Sequence, residues 1–252
     1  MLRFDHAKIY YEPYPIGLVP GVLDPGLYKA LVESYPPRDL FTTLPEVGHK
    51  CVLSEKYNPR EYRSFIQTHP VWRELHDWIK SSALIDAVDA FLKAHSIDVG
   101  LRAYRTSTSV RWKKLLRDIF AKGRLPRVHP QLYTRFEFSM LPSDGGCVLP
   151  HTDSPGKLIT LVVSMVGEGE WQPHDGGGLD VNRPKDVRRS FNLLNRNVDF
   201  EDVEVVRTFD FLPNQCVVFV KTYNSLHSVR PIALPGPPRM RRTLTINIES
   251  DA

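Results

Sequence analysis

Cysteine is scarce in this chain of 252 residues: Cys51, Cys147 and Cys216 are its only thiols, and no two stand as a C-x-x-C pair. That excludes a disulfide framework, and the expectation is three small buried hydrophobes in a reducing, cytoplasmic setting. Long apolar runs are missing too. The longest, Leu158 to Val166, falls far short of a membrane span, and the opening MLRFDHAKIYYEPYP has no uninterrupted apolar stretch of the kind a secretory leader needs. Neither an internal repeat nor a low-complexity linker breaks the chain. With 42% hydrophobic and 25% charged residues, disorder and collagen-like repeats are excluded, and the length suffices for a core that needs no metal or disulfide merely to fold.

Net charge is also small, +4 from 33 Lys and Arg against 29 Asp and Glu, but it is unevenly spread. Residues 102–127 hold nine basic residues and one acid, Asp118. An anionic partner is one reading of that segment. The better supported one is a solvated face of an amphipathic helix, because no aromatic interleaving or nucleic-acid motif accompanies it. No nucleic-acid partner is therefore expected.

Two textures meet near residue 128. Before it, apolar residues recur at helical spacing: Gly26 to Tyr35 after the turn former Asp24-Pro25, Trp72 to Ile79, Leu84 to Leu92 after a break at Ser81-Ser82, and Val110 to Ala121. After it the period becomes two, with candidate strands Leu132–Leu141, Leu158–Val166, Gly178–Val181, Glu204–Phe209, Cys216–Lys221 and Arg242–Ile248. The reading is one α+β, mainly β domain over 1–252, in which a mainly helical elaboration (1–127) covers a β sandwich or barrel (128–252). Strand Leu132–Leu141 places Leu132, Phe136, Phe138 and Met140 on one face and Tyr133, Arg135, Glu137 and Ser139 on the other. Its polar face looks either at solvent or into a cavity.

The segment that follows favours the cavity. It reads Gly145-Gly-Cys-Val-Leu-Pro-His151-Thr-Asp153, an H-x-D behind a Gly-rich turn, and in extended backbone positions i and i+2 project to one side. H-x-D alone is weak. A third donor is offered by His227, after the apolar strand Cys216–Val220 and before a strand opening with Arg241-Arg242. Two imidazoles and a carboxylate form a facial triad that leaves positions open, the donor set of non-haem Fe(II) oxygen chemistry.

The order of strand, H-x-D, Gly177-Gly178-Leu179, distal His227 and then Arg242-Thr-Leu-Thr-Ile resembles the 2-oxoglutarate and Fe(II)-dependent oxygenases, in their prolyl-hydroxylase-like branch. The resemblance covers about residues 130–250, and Tyr14 to Asp24 looks like the family's N-terminal lead-in. It implies a double-stranded β-helix (jelly roll), Fe(II) held by His151, Asp153 and His227, 2-oxoglutarate and O2 as co-substrates, and hydroxylation of an unactivated carbon with release of succinate and CO2. It also implies a cation for the far carboxylate of 2-oxoglutarate. Arg242, which shares parity with Leu244, Ile246 and Ile248, is preferred to Arg241 on the expectation that this side faces the barrel interior. Where some prolyl hydroxylases carry a tyrosine for the co-substrate, ten residues before the H-x-D histidine, this chain has Leu141; either Tyr133 or Arg135 substitutes from the same face or the contact is absent.

Two other function classes use the same triad: a silent jelly-roll binding module and a Zn-dependent hydrolase. Lys157 and Arg230 lie near the expected metal mouth, where they either meet an acidic substrate or simply reach solvent. His174-Asp175 is a weaker rival metal pair, and the remaining histidines lack ligand spacing. A prolyl residue, an amino acid, a sugar and a lipid-linked glycan all stay open as substrate.

Overall fold

Residues 1–101 and 132–250 are described in the computed structural model; the basic segment 102–127, with its expected helix Val110–Ala121, lies outside the described residues. Local signals set the helices. In α1 (Pro25–Glu33) the Asp24 carboxylate accepts from the N–H of Gly26 at 3.0 Å and of Leu27 at 3.5 Å, and Pro25 occupies the first turn, where no N–H is needed. α2 (Pro59–Thr68), which the apolar spacing did not single out, precedes α3 (Pro70–Lys80) and α4 (Ser82–Ala94). The break at Ser81 is a cap, since its hydroxyl accepts from Ala83 N–H.

Strands β1 (Lys8–Tyr10), β2 (Ile16–Pro20), β3 (Thr42–Leu44) and β4 (Lys50–Ser54) come from the N-terminal half. Eight strands follow: β5 (Leu132–Pro142), β6 (Val148–His151), β7 (Lys157–Ser164), β8 (Leu179–Pro184), β9 (Val203–Phe209), β10 (Gln215–Val220), β11 (His227–Val229) and β12 (Met240–Ser250), of which β5, β7, β10 and β12 are flanked by the first four. One sheet has the order β1-β2-β10-β7-β12-β5-β4-β3 and the other β6-β11-β8-β9, with every pairing antiparallel. From β5 to β8 the chain alternates between the sheets, and from β9 to β12 it alternates back. That is the double-stranded β-helix, or jelly roll.

The larger sheet is dry on one face. Phe136 and Phe138 of β5, Leu161 and Val163 of β7, and Leu244, Ile246 and Ile248 of β12 join one apolar cluster with Tyr62, Phe65, Trp72 and Leu75 of the helices. Trp72 is fully buried, sits 4.8 Å from the Phe138 ring and donates its indole N–H to Ser34 O. Tyr35 donates to the carbonyls of Ser139 and Thr243, tying the end of α1 across two strands. The opposite face turns toward the smaller sheet; Ile16, Val217 and Phe219 pack there against Leu179, Val181 and Phe209, whereas over β5 and β12 it is largely polar. Ser139 is opposite Thr243, Glu137 opposite Thr245, and Arg135 opposite Asn247.

The dry face therefore carries the stability. Trp72→Ala is expected to cost about 3–5 kcal/mol, as large aromatic truncations in packed cores do, read as a lower urea midpoint. A loss under roughly 1 kcal/mol would contradict this account of the helix-to-sheet packing.

Candidate metal centre

β6 and β11 are paired so that His151 and His227 lie directly opposite one another, with ring centroids 4.4 Å apart. Each ring is fixed through Nδ1, which lies 2.8 Å from Leu149 O for His151 and 2.9 Å from Ser225 O for His227. With the proton on Nδ1, where a carbonyl accepts it, each Nε2 is left as a lone-pair donor. Asp153 joins them from beyond the end of β6. Its backbone is left-handed, φ +72°, a region that Asp tolerates better than most residues. The pair thus meets around a turn, and not through strand alternation as the H-x-D spacing suggests. Its Oδ1 stands 3.6 Å from His151 Nε2, and one donor atom from each of the three residues lies within 4.8 Å of the others.

The protonation states suit a cation. Burial, reinforced by the neighbouring His151 ring, pushes His227 down from 6.5 to about 3, so its imidazole is neutral at physiological pH. Burial would raise the Asp153 carboxyl, but the Lys157 ammonium beside it holds it well below the usual carboxylate range. Asp153 Oδ1 accepts from Lys157 Nζ at 2.5 Å and Oδ2 from Thr160 at 2.8 Å, and Thr160 in turn reaches Asn247 at 3.0 Å. Two Nε2 atoms and one ionised oxygen converging on a point, each oriented by an outer partner, fit a resident divalent metal.

The triad opens into a cavity of about 440 Å³ between the sheets, lined also by Lys50, Arg135, Glu137, Ser139, Arg241 and Thr243. Arg241 replaces Arg242 there. β12 pairs Arg241 with Leu141 and Arg242 with Met140, so Arg242 belongs to the side of the helices. It ion-pairs with Glu170, and its guanidinium carbon is 5.5 Å from the Tyr35 ring centre. Arg241 is only 5% exposed, donates Nε–H to Gly177 O and packs 4.2 Å from the Phe211 ring centre. Gly177, at φ +72°, admits this approach; a Cβ there would stand 3.1 Å from Arg241 Cδ and 3.2 Å from Trp171. Burial pushes the guanidinium down to about 9, still protonated at neutral pH.

The other expected residues part company. Arg135 lines the cavity, but it is opposite Asn247, in the cross-strand row of Thr160 and Asp153, and not beside Arg241. Tyr133 sits beside Arg135, outside the cavity lining, and donates to Glu249 at 2.9 Å. Arg230 is engaged with Asp180 at 2.8 Å at a separate surface depression. His174 is 82% exposed on its side chain, while Asp175 is held by Arg239 and by the N–H of Gln172, so this pair gathers no third donor among the described residues. Lys50, 2.8 Å from Glu137, is a site residue the sequence did not signal, because β4 reaches β5 only through the fold.

The sequence matches no protein-family model and no curated protein sequence. Solved structures share the fold. A prolyl 4-hydroxylase from Phytophthora capsici is 16% identical, with TM-score 0.50 over 94% of this chain and 59% of that one. One from Pseudomonas putida is 16% identical, with TM-score 0.48 over 93% and 92%. A prolyl hydroxylase of Trichoplax adhaerens, solved with a hypoxia inducible factor peptide, is 11% identical, with TM-score 0.49 over 94% and 84%. Among the described residues no helix is long and apolar enough to cross a membrane.

Keeping His227 neutral and buried has a cost in acid. Between pH 6.5 and about 3 the unfolded chain binds a proton that the folded one does not, so stability falls as pH falls through that window; the depressed Asp153 carboxyl adds a loss of the same sign at lower pH. In chelator, wild type is expected to lose up to about 1.4 kcal/mol per pH unit more than His227→Phe below pH 6. Parallel stability curves for the two would contradict the buried neutral imidazole.

Proposed function

We propose that the protein is an Fe(II)- and 2-oxoglutarate-dependent oxygenase that hydroxylates an unactivated carbon, with release of succinate and CO2. One observation carries the reading: the His151–Asp153–His227 donor set and a buried arginine, Arg241, with no carboxylate partner among the described residues open into the same cavity. A Zn hydrolase or a silent binding module has no particular use for such a guanidinium. An acid that chelates a metal at one end and carries a carboxylate at the other does.

When bound, Fe(II) and 2-oxoglutarate supply the O2 activation and oxidising power that side chains lack. The chain's own residues position and shield. His151 and His227 present Nε2 because backbone carbonyls hold Nδ1–H, and Thr160 steadies the second oxygen of Asp153. Arg241 Nε is committed to Gly177 O, which aims the two terminal nitrogens of the fork for bidentate contact with a carboxylate. Phe211 beneath and Trp171 beside it exclude water, so this contact forms at low local dielectric. Ser139 and Thr243, hydrogen-bonded at 2.9 Å, line the wall beyond Arg241. The three free thiols fit action in a reducing cytoplasm.

The test is succinate formation from 2-oxoglutarate in the presence of Fe(II) and O2. His151→Ala and His227→Ala are expected to abolish it and to remove Mn(II) binding, while circular dichroism stays native. Retention of full turnover by both would overturn the triad.

The arginines separate sharply. Arg241→Ala is expected to raise the 2-oxoglutarate concentration for half-maximal turnover by an amount equivalent to about 2 kcal/mol or more, with Mn(II) affinity unchanged. Arg242→Ala should change that concentration little. The reverse ranking would place the co-substrate on the wrong side of β12.

A further inference from the structure

Lys157 stands in an unusual place for a cation. Its Nζ donates to Asp153 Oδ1, the same oxygen that faces His151 Nε2 and is therefore the one turned toward a metal, whereas Oδ2 belongs to Thr160. A dication and an ammonium on one buried carboxylate oxygen repel strongly at such range. Metal binding therefore moves the flexible lysine side chain off Oδ1. The reasoning rests on the oxygenase reading above, since it requires a metal at this triad.

Among the described residues the carboxylates near the displaced ammonium already have cations: Glu137 holds Lys50 at 2.8 Å, and Glu249, opposite Lys157 across β7 and β12, accepts from Tyr133 and has Arg135 Nε within 3.2 Å. Lys221, whose Nζ donates to Leu193 O and Thr222 O, is a second cation in this neighbourhood, its charge disfavoured first by burial and then by Lys157 against the opposing pull of Asp153. Arg135 has donor capacity to spare, because its buried Nε makes no aligned hydrogen bond despite the nearby Glu249 oxygen. It lies in the same cross-strand row as Asn247 and Thr160, the row that ends at Asp153. Lys157 and Arg135 thus flank the metal end of the cavity, while Arg241 marks the other end.

Charge balance points the same way. In and against the cavity, the four cations Lys50, Arg135, Lys157 and Arg241 face the three buried carboxylates Glu137, Asp153 and Glu249, and at the rim Lys56 offsets Glu46. A divalent metal with a dianionic co-substrate leaves this excess of one positive charge unchanged.

We infer that Lys157 exchanges Asp153 for the substrate: in the metal-loaded site it forms, with Arg135, a subsite for a single anionic group, so the molecule hydroxylated is an acid bearing a carboxylate or a phosphate ester. Lys157 is then a specificity-determining residue that also opposes metal binding until an anion is present.

The test uses the full chain, Mn(II) as the metal and the methyl-proton relaxation of acetate and methyl phosphate as the report of an anion beside it. Methanol is the neutral control, and saturating 2-oxoglutarate is present under nitrogen. Wild type is expected to relax at least one of the two anions saturably and methanol not at all; Lys157→Arg keeps that effect, and Lys157→Met and Lys157→Gln lose it. Without 2-oxoglutarate, Lys157→Met is expected to bind Mn(II) about tenfold or more tightly than wild type, which is the scale of a removed close charge pair. Equal Mn(II) affinity in wild type and both neutral variants, or anion relaxation that survives in them, overturns the inference and leaves the metal centre standing. If neither wild type nor variants bind Mn(II), the oxygenase reading itself fails.

Discussion

β12 is buried on both faces, and the strict alternation of its side chains forces each residue to choose between two very different environments. Even positions, Leu244, Ile246 and Ile248, complete the dry contact with the helices; odd positions, Arg241, Thr243, Thr245 and Asn247, line or support the polar cavity. A slip of one residue would put Thr245 and Asn247 into the aromatic cluster around Trp72 and isoleucines against the metal ligands. The pairings with β5 and β7 prevent it, because those neighbours sort their own residues the same way: Phe136 and Phe138 with Leu161 and Val163 on one side, Glu137 and Ser139 with Thr160 on the other.

This division lets the site hold expensive groups. An ionised Asp153, a neutral His227 and a charged Arg241 are each nearly inaccessible, and burial alone would disfavour the charged forms of all three. The helix-facing cluster carries the burden of stability, so the cavity face is free to be arranged for charge. Outer partners then limit the penalty: backbone carbonyls for the imidazoles, Thr160 and Lys157 for Asp153, Gly177 O for Arg241.

Much of this was legible beforehand. Period-two runs after residue 128 mark six of the eight jelly-roll strands to within two residues or so at most ends, and Asp24-Pro25 and Ser81 mark helix starts because capping is a local interaction. The short β6 and β11 are too brief for a periodic signal, although they carry the histidines. Parity with Leu244, Ile246 and Ile248 favours Arg242 only if those apolar residues face the interior of a barrel. Yet the same alternation on β5 already set a polar face toward a cavity, and adjacent strands share faces, so Met140 opposite Arg242 decides for Arg241. Lys50, the turn geometry of Asp153 and the contact of Lys157 with Asp153 depend on tertiary placement, and no spacing rule encodes them.

The central claim is that the triad and Arg241 form one site for a single bifunctional acid. Titration calorimetry of 2-oxoglutarate into the Mn(II)-loaded and the chelator-treated protein tests it most directly, with glutarate, which lacks the keto group, as comparison. The account predicts one equivalent of 2-oxoglutarate bound only when metal is present, and markedly weaker binding of glutarate. Equal affinity with and without Mn(II), or equal affinity for the two acids, would contradict it.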